Sequence, residues 1–162
     1  MTGTPAEVLV LGIGNLLMGD DGIGVHVARA LSRDPSLPAG VRIVDGGTLG
    51  LDLLPLVADA GALVVVDAVD LKANPGTIRV LRGDELHGAL GGHVSPHQVG
   101  LADLLAVARL TDSLPDQVAL VAIQPAIVAA GVELSAACSA AMAAALGAVR
   151  SELSTAAAAA TA

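Results

Sequence analysis

The chain has no Phe, Tyr or Trp, a single cysteine, and only eight Lys and Arg residues among 162. Each shortage removes a class of function. Without aromatic rings there is no platform on which nucleic-acid bases stack. The sixteen Asp and Glu residues leave a net charge of -8, so no basic stripe exists to release counterions from phosphates. An anionic membrane surface is an equally poor partner, and the expected partner is a protein or a cation. Cys138 has no second cysteine in its own chain, which excludes an intrachain disulfide framework and fits a reducing compartment, so the cytoplasm is the expected location. The opening residues carry neither a basic n-region nor an apolar h-region, and no signal peptide is expected. The longest apolar run, 134–149, is Ala-rich and broken by serines; it reads as a packed helix rather than a membrane span.

What is present is an alternation. Residues 8–12 form a short β-branched burst ended by glycine, the mark of a buried strand. Ile23, Val27 and Leu31 follow at four-residue spacing with Asp20 and Asp21 just ahead, where acidic groups suit a helix N-terminus, so a helix is expected over 22–32. The pattern repeats: a strand at 41–44, a turn at 45–48, and a helix over 49–60 with Pro55 as a local defect. The most apolar strand, 63–66, ends at Asp67. A turn at 74–76 leads to a strand at 77–81 whose short return suggests antiparallel pairing at an edge.

The glycine-rich stretch 87–94 is expected to be a mobile loop. Ser95, Pro96 and Gln98 then make a capping box that opens a helix reaching about residue 110. A strand at 118–123 and an Ala-rich helix at about 135–153 complete a single α/β domain over 1–153, and the low-complexity tail 154–162 is expected to be disordered. Apolar strands alternating with helices imply a mainly parallel sheet of about five strands, twisted and covered on both faces. In such sheets ligands bind beyond the carboxyl ends of the strands, near the topological switch point. Asp21, Asp45 and Asp67 all fall just past strand ends, on one expected rim.

Among candidate sites, Gly12-Ile13-Gly14 suggests a dinucleotide loop, but the third glycine of that fingerprint is replaced by Leu17. The glycines instead allow a tight turn that presents Asp20 and Asp21. His97 lies in the first turn of its helix, near positive dipole charge that favours the neutral, metal-binding imidazole; a neighbour of the helix cap that binds no ligand is the alternative. His93 is separated from it by Pro96 and the cap, so the two cannot form a zinc pair on one helix face. His26 and His87 read as solvated. Asp67 follows four apolar residues, and a carboxylate there is costly unless it is paired, hydrogen-bonded or metal-bound; capping of the turn 68–70 is the alternative, with Asp70 as competitor for that role. Two carboxylates and an imidazole would suit zinc, nickel or manganese. No Gly-x-Ser-x-Gly elbow or His-Glu-x-x-His pair occurs, and Cys138 reads as a small core residue.

Five ordered blocks carry a resemblance. They are Leu11 to Asn15 running on to Asp20-Asp21-Gly22-Ile23-Gly24; Asp45-Gly46-Gly47-Thr48; Val65-Val66-Asp67-Ala68; Ser95-Pro96-His97-Gln98; and Ile123-Gln124-Pro125. Together they resemble the hydrogenase maturation endopeptidases, from about residue 8 to residue 134. The resemblance implies an α/β/α sandwich and an aspartyl-type or metal-dependent endopeptidase. Its implied partner is the nickel-iron hydrogenase large-subunit precursor, from which a C-terminal peptide is removed after nickel insertion. It further implies that Asp21, Asp67 and His97 recognise nickel carried by that precursor, and that Asp45 is a further site residue of unassigned role. Family members carry Glu or Asp at the first position, and here Asp20 adjoins Asp21, so either aspartate could serve. Two other readings stay open: a small-substrate metallohydrolase, and a non-catalytic nickel-binding or chaperone module.

Overall fold

A computed structural model describes residues 7–91 and 96–160, without the side chains of 96–98. The chain runs β1 (Val8–Ile13), a 3-10 turn (Gly19–Gly22), α1 (Ile23–Leu31), β2 (Val41–Gly47), a second 3-10 turn (Gly50–Leu53) and α2 (Leu54–Ala58). It continues through β3 (Ala62–Ala68), β4 (Ile78–Leu81), α3 (Gly83–Gly91), α4 (Pro96–Leu110), β5 (Gln117–Ile123) and α5 (Ala136–Ala160). The five strands lie in the order β2-β1-β3-β5-β4. β1, β2, β3 and β5 are parallel, and β4 pairs antiparallel with β5 at the edge, as its short return suggested.

β1 and β3 are buried on both faces along their whole length, which explains their unbroken apolar sequence. One set of alternating residues, including Val10, Val64, Val66, Val121 and Ile123, packs under α1 and α5. The other set, including Leu9, Leu11, Leu63, Val65 and Leu120, packs under α2, α3 and α4. The result is three layers, α/β/α. Each residue moved between these sets would face the wrong layer, so the register is fixed by burial on both sides.

The chain leaves β1 toward β2 on one side and returns to β3 on the other, so the topological switch point lies between the carboxyl ends of β1 and β3. Gly24 sets the geometry there. A Cβ on Gly24 would lie 2.1 Å from the Val66 carbonyl oxygen and 2.4 Å from that of Ile13. Only a glycine lets α1 sit this close to the sheet, and the closeness carries the preceding turn over the switch point.

Several expectations are corrected. Pro55 is no defect: it occupies the first turn of α2, where its missing N–H costs nothing, and the 3-10 turn ahead of it accounts for the irregular start. Residues expected to lie in a glycine-rich loop form α3 through Gly91. Leu86 and Leu90, four apart and both buried against the α4 layer, hold it helical despite its glycines. The tail expected to be disordered from residue 154 continues α5 through Ala160, with Leu153 and Ala156 buried. Asp20 and Asp21 precede α1, but no side chain caps that helix, whose N-cap is Gly22. The expected Ser95 cap and the stretch 92–94 lie outside the described residues. Among those described, no helix is long and apolar enough to cross a membrane.

Candidate functional site

The turn after β1 is folded back by its glycines. Gly14 has φ +136°, and a Cβ there would come within 1.9 Å of the Asp21 carbonyl oxygen, so the chain at Gly14 and at Asp21 is in direct backbone contact. Asp20 and Asp21 occupy the following 3-10 turn and are both buried. Their carboxylates serve different partners. Asp21 Oδ2 accepts the Asn15 N–H at 3.1 Å. Asp20 is wholly buried, and its Oδ2 accepts the N–H groups of Ala126 (2.8 Å) and Ile127 (2.9 Å) while Oδ1 accepts that of Ser135 (2.7 Å). Burial alone would raise the Asp20 pKa. The hydrogen bonds from Ile127, Ser135 and Ala126 outweigh it and hold the carboxyl below its ordinary value.

Asp67 is the penultimate residue of the all-buried strand β3 and has no solvent exposure. By alternation it shares the face of Leu63 and Val65, the face covered by α4. Burial pushes its carboxyl well above the usual range, and the negative charge of Asp21 adds to that push, against a hydrogen bond from the Ala68 N–H. Asp21 and Asp67 therefore stand within electrostatic reach of each other at the switch point. The turn-capping alternative for Asp67 goes to Asp70, whose Oδ1 accepts the Lys72 N–H at 3.1 Å and whose carboxylate also pairs with the Lys72 ammonium.

His97 is the second residue of α4. α4 leads into the amino end of β5 and packs along the sheet against it, so its first turn stands at the opposite, carboxyl rim, on the Asp67 side of the sheet. Its backbone is anchored there, since a Cβ on Gly100 would lie 3.3 Å from the Cα of Gly50 in the turn after β2. The His97 side chain lies outside the described part. Among the described side chains, no group of three or more His, Cys, Asp and Glu is arranged to hold a metal.

Asp45 reaches the same rim but the other face. It pairs in register with Gly12, follows Val41 and Ile43 onto the α1 side, and is bound by Arg29 of α1, Nε at 2.9 Å and Nη2 at 2.8 Å. It is not brought together with Asp67. His26, read as solvated, is half-buried with its Nε2 enclosed and unpartnered among the described residues. Desolvation, then the nearby Arg29 charge, lowers its pKa. His87 is exposed, with Nδ1 2.7 Å from the Gly83 carbonyl. Cys138 is fully buried, its Sγ 3.7 Å from the Gln124 carbonyl, and burial raises its thiol pKa.

The role of Gln124, read only as part of the fifth block, and the character of the surface escaped the sequence. Gln124 Oε1 accepts the N–H groups of Leu71 (2.6 Å) and Ala73 (3.3 Å), fixing the loop just past Asp67. The other is the surface. Of the large apolar residues exposed among the described ones, Leu17, Leu49, Leu51, Val99, Ile127, Val128 and Val132 all follow carboxyl strand ends or begin α4, and only Leu110 lies elsewhere. The rim around the two aspartates is apolar, whereas exposed apolar groups are normally scattered.

A family model described as hydrogenase maturation protease (HycI) matches residues 25–152. The hydrogenase 2 maturation protease of Escherichia coli (strain K12) is 42% identical over 120 residues, covering 74% of this chain and 73% of that protein. The hydrogenase expression/formation protein HupM of Azotobacter chroococcum mcd 1 is 45% identical over 127 residues, 78% of this chain and 61% of that one. The chain spans about three fifths of the length of the first curated relatives it matches. In three dimensions it is similar to the hydrogenase maturating endopeptidase HybD from E. coli, with a TM-score of 0.86 at 37% identity, over 92% of this chain and 93% of that one. On this similarity in sequence and in fold, the chain belongs to the hydrogenase maturation protease family.

Proposed function

We propose that this chain is a cytoplasmic endopeptidase that removes the C-terminal extension of a nickel-iron hydrogenase large-subunit precursor once nickel has been inserted. The observation that carries the reading is the burial of Asp21 and Asp67 together at the switch point, close enough for one charge to act on the other. Two acids held in that way are a standing electrostatic cost that an arriving cation relieves. Membership of the family supports the identity of the substrate.

In this reading nickel is cargo of the precursor, not a resident of the enzyme. Asp21, Asp67 and the imidazole of His97 take up coordination positions that the maturing centre leaves open. That contact fixes the precursor on the rim with its scissile peptide beside the metal-facing acids, so cleavage depends on the metal being in place. Asp21 rather than Asp20 is taken as the ligand, because three of the roughly four acceptor positions of the Asp20 carboxylate are already used by Ala126, Ile127 and Ser135. Asp45, bound to Arg29 on the other face, is assigned the flank of the same rim.

The apolar rim favours a folded protein over a small molecule as substrate, because a small substrate has no use for seven exposed apolar side chains spread across three loops and a helix. A double change Leu17→Lys and Ile127→Lys should raise KM for the precursor about tenfold or more. Both side chains are exposed, so folding stability should move by only about 0.5 kcal/mol. Unchanged KM would place the docking surface elsewhere.

The direct test mixes purified protein with nickel-loaded precursor and follows the mass of the precursor's C-terminus. Loss of one discrete peptide with the wild type, and none with His97→Ala, is expected. Tight precursor binding with no cleavage would favour the chaperone reading instead.

A further inference from the structure

The loop between β5 and α5 is stitched to the turn that carries the two aspartates. Gly19 N–H donates to the Gly131 carbonyl, Gly131 N–H to the Leu17 carbonyl, and Asp20 N–H to the Ile127 carbonyl, each at 2.9 Å. Met18 and Gly131 form a parallel bridge. The Asp20 carboxylate completes the seam with its bonds to Ala126, Ile127 and Ser135. Ser135 in turn caps α5, its Oγ accepting the Cys138 N–H at 3.2 Å. One buried carboxylate thus joins the Asp21 turn, the loop after β5 and the start of the last helix.

The two neighbouring carboxylates are held in opposite senses, Asp20 toward 126–135 and Asp21 toward Asn15. A 3-10 turn of four residues has little backbone freedom between them, so clamping Asp20 fixes the direction in which the Asp21 side chain leaves the chain. We propose that Asp20 is a positioning residue: by clamping the 126–135 loop it holds Asp21 in the orientation that meets the substrate's metal. The inference rests on the functional reading above, and adds to it a residue that touches neither metal nor substrate.

Asparagine is the informative replacement. An amide has one accepting oxygen and one donating nitrogen. Whichever way it is flipped, its NH2 faces an N–H of Ser135 or the N–H pair of Ala126 and Ile127. Affinity for nickel(II) alone, measured by calorimetry, should fall about tenfold or more in Asp20→Asn, in the range that outer-shell changes cost. KM for the nickel-loaded precursor should rise while kcat changes less.

Glu152→Gln is the control, since it removes the charge of a buried carboxylate from the half-exposed Arg82–Glu152 ion pair at the amino end of β5 and touches nothing on the rim. If Asp20→Asn and Glu152→Gln melt alike and both keep wild-type nickel affinity and KM, Asp20 only supports the fold and the proposal falls. A second measurement needs no variant. Adding nickel(II) to the wild type should slow hydrogen exchange at the amides of Ala126, Ile127 and Ser135, because coupling between the two acids is reciprocal. Unchanged exchange at those amides in protein that does bind nickel also overturns it. Wild-type protein that neither binds nickel nor cleaves precursor would instead sink the functional reading, and this inference with it.

Discussion

Gly24→Ala is expected to lower stability by about 3 kcal/mol or more and to abolish precursor cleavage. The added methyl group would meet the Val66 and Ile13 carbonyl oxygens at 2.1 and 2.4 Å. Both are backbone atoms in central strands, so neither can give way. The helix must lift instead, and lifting α1 draws the 3-10 turn of Asp21 away from the end of β3. The loss should exceed what stability explains, because the separation of Asp21 from Asp67 persists in whatever fraction still folds. A contrast comes from the same substitution elsewhere. Gly147 lies inside α5 with open space where a Cβ would go, and Gly147→Ala should stabilise by about 0.5–1 kcal/mol. Denaturant melts of the two variants check both signs; a harmless Gly24→Ala would mean that α1 does not need its close approach.

The second large effect has opposite signs for stability and activity. Asp67→Asn should stabilise the protein by roughly 0.5–2 kcal/mol, the usual range when a site residue under strain is neutralised, while cleavage is lost. The amide oxygen can still accept the Ala68 N–H, but it carries no charge to bury and none for Asp21 to oppose. The pH dependence follows from the raised pKa. Between the unfolded-state carboxyl pKa and the higher folded one, the folded protein holds a proton that the unfolded chain has released. Stability from this group is therefore full below the unfolded value and is lost as pH rises through the folded one. The gain from Asp67→Asn should accordingly be smallest in acid and grow toward neutral pH. A Tm difference between the two proteins that is flat from pH 4 to 8 would contradict it.

Much of this was legible in the sequence because two-sided burial forces unbroken apolar strands, and a short connection forces β4 back antiparallel against β5. Asp67 was legible for the same reason, as a carboxylate at the end of a strand with no polar face. The different partners of Asp20 and Asp21 were not. Those of Asp20 are Ala126, Ile127 and Ser135, more than a hundred residues away in sequence, and no local spacing encodes that meeting. The face of Asp45 depends likewise on Arg29 of α1. In α3, four-residue leucine spacing competed with glycine content, and tertiary packing of Leu86 and Leu90 decided for helix. The end of α5 was misread because alanine repeats look featureless, although alanine is the strongest helix former and Ala156 is still in the core.

Metal-gated cleavage by the rim acids is directly measurable. One large-subunit precursor, prepared nickel-free and nickel-loaded, should be incubated with the wild type and with Asp21→Asn, and its C-terminal mass followed over time. The expected result is cleavage of the loaded precursor by the wild type alone, with the nickel-free precursor left full length. Equal cleavage of both precursors, or undiminished cleavage by Asp21→Asn, would contradict it.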